Sequence, residues 1–92
     1  MSIVLSEKQI KTGLKKLSGW KLVNGEITKT FVLPDFVHAM GVVNQVALLA
    51  EKANHHPDID IRWNKVKLTL CTHSEGGLTA KDFDLAKAIE IL

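Results

Sequence analysis

"IDIRWNKVKLTL", residues 59–70, decides the architecture. Ile59, Ile61 and Trp63 alternate with Asp60 and Arg62, while Val66, Leu68 and Leu70 alternate with Lys67 and Thr69. A period of two belongs to strands that bury one face. Asn64-Lys65 reads as a two-residue turn between the runs, pairing Trp63 with Val66, Ile61 with Leu68 and Ile59 with Leu70. That register sets all six apolar side chains on the core face and leaves Asp60, Arg62, Lys67 and Thr69 to solvent.

The flanking segments extend the pattern. "GWKLVNGEITKTFVL" (residues 19–33) is a second hairpin around Asn24-Gly25, a pair that tolerates positive φ at both turn positions. It sets Leu22 opposite Ile27 and Trp20 opposite Lys29, with Phe31 and Leu33 on the same face. Pro34 breaks the strand, and Asp35 is the N-cap expected for a long helix to about Ala53. Phe36, Met40, Val43, Ala47 and Ala50 form one apolar stripe on that helix; Ala39, Val42, Val46, Leu49 and Ala53 form another. Two stripes exceed what one core-facing side needs, so one flank is expected to pack on another subunit.

Ser6 to Gln9 fits a capping box opening a short first helix through Ile10, Leu14 and Leu17. "TAKD" at 79–82 opens a third, with Phe83, Ala86 and Ile89 on its apolar side. The order is α-β-β-α-β-β-α. We expect an α+β fold, a four-stranded antiparallel sheet covered on one face by helices, as a single domain over residues 1–92.

Composition excludes several function classes. A net charge of +2 with scattered lysines, and Arg62 as the sole arginine, argues against direct nucleic-acid binding. Cys71 stands alone, which removes internal disulfides and CxxC motifs and favours a reducing, cytoplasmic setting. The N-terminus lacks the basic and apolar regions of a signal peptide, and residues 36–50 are too short and interrupted to span a bilayer. No membrane partner is expected.

Extending the second hairpin's register backwards sets His56 roughly opposite His73 if pairing continues past Pro57; even without it both lie at the same end of the hairpin, with His55 adjacent. Glu51 lies one helical turn before His55 if the second helix persists that far. Each residue has an ordinary use. The His55-His56 pair suits a helix C-terminus, Pro57 turns the chain from helix to strand, and Asp82 is placed for capping. His38 is expected to face solvent. Together, however, clustered imidazoles can supply an acid and a base at neutral pH. Three histidines can also hold a zinc ion with an open position, and periodicity does not separate the two. Phosphate-loop and nucleophile-elbow spacings are absent.

"AEKANHHPD", "NKVKLTLCTH" and "GGLTAKDFDLAKAIE", with the earlier "GW" and "VALLAEK", resemble the pterin-4a-carbinolamine dehydratase family from about Gly19 to Glu90. The resemblance implies removal of water from a 4a-hydroxytetrahydropterin, without metal or organic cofactor, by a homodimer or homotetramer. It maps the catalytic histidines onto His55, His56 and His73, and the supporting acids onto Asp82 and Glu51. Pro57 completes the His-His-Pro signature. Hydroxide leaves poorly, so the 4a-oxygen needs an acid while a base takes the N5 proton. His55 and His73 are expected to do this work, with His56 orienting the pterin. Ile59 replaces an aromatic residue common in the family, and Trp63 a tyrosine; both are expected to face the core. The alternative implied by the same resemblance is a non-enzymatic dimerisation or assembly partner.

Overall fold

The computed structural model describes residues 3–92. Helix α1 (Glu7–Lys15) opens at a complete capping box, in which Ser6 and Gln9 satisfy each other's backbone amides. It lies on the third helix at Gly13. A Cβ there would come within 2.6 Å of the Phe83 ring, so the close approach requires glycine.

Strands β1 (Lys21–Val23) and β2 (Glu26–Val32) form the expected hairpin, with Leu22 opposite Ile27. Asn24 and Gly25 both have positive φ, as a primed two-residue turn demands. Lys29 lies on the core-facing side of β2, where its ammonium pairs with Glu90 and sits 4.7 Å from the Phe31 ring centroid. Trp20 stacks edge-on against Phe31 and donates its indole N–H to Glu90 at 2.8 Å. One carboxylate thereby serves two donors that would otherwise be stranded near the core.

Helix α2 (Phe36–Ala53) is capped by Asp35, whose carboxylate accepts the His38 amide. Those same donated hydrogen bonds from His38 hold the Asp35 carboxyl below its ordinary range. His38 is exposed, as expected, with its ring against Asp35. Ala39, Val46 and Ala50 are buried against the sheet and third helix, with Val42, Val43 and Leu49 beside them. Phe36, Val37, Met40 and Leu48 remain exposed.

Strands β3 (Asp58–Arg62) and β4 (Lys65–Leu70) follow, and α3 (Ala80–Glu90) closes the chain. The sheet is antiparallel with order β1-β2-β4-β3, so the α+β order α-β-β-α-β-β-α holds. Val66, Leu68 and Leu70 of central β4 and Ile27 of β2 are fully buried beneath α2 and α3. Burial of each contributes about 1.5–3 kcal/mol. Among the described residues, no helix is long and apolar enough to cross a membrane.

The second hairpin departs from its expected register. Ile61 faces Val66 and Ile59 faces Leu68, so the turn is Trp63-Asn64 rather than Asn64-Lys65. A long-range tether explains the shift. Asn64 donates its side-chain amide to the Leu33 carbonyl and accepts the Leu33 amide, each at 2.8 Å. This locks Asn64 to the end of β2 and forces Trp63 to φ 53°, an uncommon conformation for a bulky residue. Trp63 is consequently 69% exposed instead of facing the core. Ile59 keeps the core-side parity but is also exposed, because β3 is an edge strand.

Candidate functional site

The end of α2 sets the first histidine. Asn54 adopts the left-handed conformation at φ 50°, and the His55 amide reaches back to the Ala50 carbonyl at 3.1 Å. With the Asn54 amide on Glu51, this is a Schellman closure. It ends the helix, so the expected helical-turn contact between Glu51 and His55 does not form. Glu51 instead meets His56, whose Nε2 lies against its carboxylate on the open surface.

His55 is turned inward. Its Nε2 sits 2.5 Å from Oδ1 of Asp82, a carboxylate with no solvent exposure. The other oxygen, Oδ2, accepts the Thr72 hydroxyl at 2.8 Å and the Thr79 amide at 3.0 Å. Because Thr72 donates to Asp82, it must accept from the Thr79 hydroxyl, 2.8 Å away. Asp82 is therefore both the capping residue expected from "TAKD" and the anchor of an imidazole. With every near donor directed at the carboxylate, His55 Nε2 is the donor in that pair, which leaves Nδ1 as the nitrogen free to exchange a proton.

This places Asp82 at a junction. One oxygen holds His55; the other holds Thr72, the residue immediately before His73. Chain segments separated by 27 and 10 residues are thus fixed to a single buried group. Buried polar groups satisfied this fully are rigid, since losing one partner leaves the others uncompensated.

His73 lies at the same end of the hairpin but is not paired opposite His56. Strand pairing ends at Asp58 and Thr69, and continuing the observed register would bring His56 opposite Cys71, not His73. A bridge between Thr72 and Gly77 then folds His73–Glu75 into a 3-10 turn. There His73 is three-quarters exposed, with Nε2 3.8 Å from the Glu26 carboxylate. His55 and His73 open onto different hollows. The first, about 410 Å³, includes Leu49, Lys52 and Leu85; the second, about 420 Å³, includes Glu26, Cys71 and Leu78. Pro57 is half-buried and carries the chain into β3.

Glu26, Cys71 and His73 each offer one ligand atom, all within 4.8 Å of one another. Among the described residues this is the grouping that metal-ligating side chains form; the His55, His56 and His73 trio is not. Burial pushes the Cys71 thiol pKa up, aided by the Asp82, Glu26 and Asp58 carboxylates, so the thiol is protonated at neutral pH.

Thr72 had escaped the sequence reasoning, although a signal existed. The alternation Val66, Leu68, Leu70 continues to residue 72, so a hydroxyl stands where the next buried side chain belongs. A buried hydroxyl needs a partner, and Asp82 supplies it.

The family model for pterin 4 alpha carbinolamine dehydratase matches residues 3–92. A protein of Roseiflexus castenholzii, provisionally named pterin-4-alpha-carbinolamine dehydratase, is 54% identical over 98% of this chain and 97% of its own. One from Acidobacterium capsulatum with the same provisional name is 54% identical over 96% of each chain. The crystal structure of a transcriptional coactivator/pterin dehydratase from Brucella melitensis superposes with a TM-score of 0.93 at 38% identity, covering 97% of both chains. A pterin dehydratase-like RuBisCO assembly factor of the alpha-carboxysome shares the fold, with a TM-score of 0.67 at 18% identity over 79% of this chain and 87% of that one.

Proposed function

Because the chain belongs to the pterin-4a-carbinolamine dehydratase family, we propose that it removes water from a 4a-hydroxytetrahydropterin to give the quinonoid dihydropterin. The C4a–O bond breaks as the oxygen receives a proton, and the N5 proton departs as the C4a–N5 double bond forms. One proton is delivered and one taken, nothing is oxidised or reduced, and the product is water. The reaction therefore needs an acid and a base that regenerate each other.

The observation that carries the proposal is the His55–Asp82 pair. An imidazole held through Nε2 by a buried carboxylate presents Nδ1 in one tautomer and one orientation, as a proton-transfer group requires. In this reading His55 and His73 are the acid and base, exchanging roles between 4a stereoisomers. His56 orients the pterin with Glu51 behind it, Asp82 is a positioning residue, and Pro57 fixes the chain between the histidine pair and β3. The pterin ring then has to reach both histidines, which open onto different hollows.

We further infer a homodimer or homotetramer, supported by the exposed Phe36, Val37, Met40 and Leu48 on α2, and a cytoplasmic setting, supported by the single cysteine. Sedimentation equilibrium of wild type and a Val37→Glu variant tests the assembly. The catalytic reading is tested by following decay of a 4a-hydroxytetrahydropterin with purified protein. Acceleration by wild type and loss in His55→Ala support it; decay at the uncatalysed rate with folded wild type refutes it.

A further inference from the structure

We propose that Glu26, Cys71 and His73 form a binding site for a thiophilic divalent transition-metal ion, and that its occupancy switches the dehydration off. The site is built by the sheet. Ile27 pairs with Leu70 in the β2–β4 ladder, so one step further Glu26 stands opposite Cys71. Directly opposed residues have Cβ atoms about 4.5–5.5 Å apart on one face. The Thr72–Gly77 bridge then returns His73 to the same place.

The ion displaces the Cys71 thiol proton to solvent on binding, and the resulting thiolate, an imidazole and a carboxylate make a borderline-soft donor set. It suits zinc, cobalt or copper and discriminates against magnesium and calcium. In a tetrahedral site with bonds of about 2.0–2.3 Å, ligand atoms lie roughly 3.3–3.7 Å apart. The 4.8 Å envelope therefore has to contract by about 1 Å. His73, with a side chain 75% exposed, is free to change rotamer and supply that movement. Asp58 and Asp82 add negative charge in the neighbourhood of Cys71, which favours a cation. Three protein ligands leave a fourth position to water, so the ion is exchangeable and not a structural staple.

The consequence follows from lone pairs. A His73 imidazole whose Nε2 is committed to a metal cannot pass a proton through that nitrogen. The inhibitory half of this inference rests on the dehydratase reading; the binding half does not.

The experiment titrates the purified, metal-stripped full chain with zinc by calorimetry and with cobalt by absorption. Wild type is expected to bind one equivalent, and cobalt to give a thiolate-to-metal charge-transfer band. Cys71→Ala abolishes the band and weakens zinc by at least about 100-fold, more than loss of an outer partner does elsewhere. Glu26→Gln, which leaves the thiol in place, weakens binding but keeps the band. His55→Ala binds zinc as wild type does. In the dehydration assay zinc inhibits wild type reversibly and a chelator restores it, while the rate of Cys71→Ala, read against its own zinc-free rate, resists zinc. Equal zinc binding by wild type and Cys71→Ala, or none by wild type, overturns the site. An active wild type that binds zinc at Cys71 without inhibition overturns the switch. Zinc binding by a protein with no dehydratase activity refutes the proposed function and leaves the metal site standing.

Discussion

The two ends of the β3–β4 hairpin solve opposite problems. At the closed end, Trp63 is exposed and holds a left-handed backbone because Asn64 is tied to Leu33. At the open end, Asp82 is buried and gathers His55, Thr72 and the start of α3 into one satisfied network. The closed end tolerates local strain to set the register. The open end uses that register, through central β4, to deliver Thr72 to Asp82. One end is geometry that stability can spare, and the other is geometry on which the proposed chemistry depends.

Mutations at the open end should separate these roles. His73→Ala should lower the dehydration rate by about 10²–10⁴-fold, as loss of a general acid or base does. Its stability should change by no more than about 0.5 kcal/mol, because the side chain is exposed. Rates and urea melts on one preparation check both. Asp82→Ala should instead damage both properties. Removing the acceptor of three hydrogen bonds from a buried site should cost about 3 kcal/mol, read as a lower urea midpoint. Activity should fall with it, even under conditions where the variant is fully folded.

Thr72→Val probes the junction itself. It should cost about 1–2 kcal/mol by leaving the Thr79 hydroxyl without its acceptor and removing one of the two donors on Asp82 Oδ2. It should also lower kcat with little change in KM, and Thr72→Ser should restore kcat. A purely structural threonine would leave kcat of the folded fraction unchanged. At the closed end, Trp63→Gly should relieve about 1–2 kcal/mol of left-handed strain and return about 0.5–1 in unfolded-chain entropy. A net gain of about 0.5 kcal/mol with unaltered turnover is expected. A large activity loss there would break the contrast between the two ends.

The contrast also explains what the sequence could disclose. Asn24-Gly25 encodes its turn locally, and the β1–β2 register was legible from it. Asn64 looked equally local, but its partner is Leu33, 31 residues away, and no short-range pattern announces that bond. Hence the register was read two residues out, although the parity of Ile59, Ile61, Val66, Leu68 and Leu70 survived. Asp82 was legible as a cap and, through the family resemblance, as a supporting acid; its bond to His55 is visible only in the fold. Glu51 would have met His55 only on a continued helix; the left-handed Asn54 ends the helix first, and Glu51 meets His56 instead. Glu26 beside Cys71 depends on pairing β2 with β4 across an intervening helix and strand. Nothing in the periodicity of either segment names the other as its neighbour.

The most direct measurement is the dehydration rate of a 4a-hydroxytetrahydropterin with wild type, His55→Ala and Asp82→Asn, each shown folded by circular dichroism. The account predicts clear acceleration by wild type and a loss of about 10²–10⁴-fold in His55→Ala. An intermediate loss is expected in Asp82→Asn, which keeps one acceptor oxygen but no longer enforces the imidazole tautomer. Wild-type-like rates in both variants would contradict the assignment of the His55–Asp82 pair to the reaction.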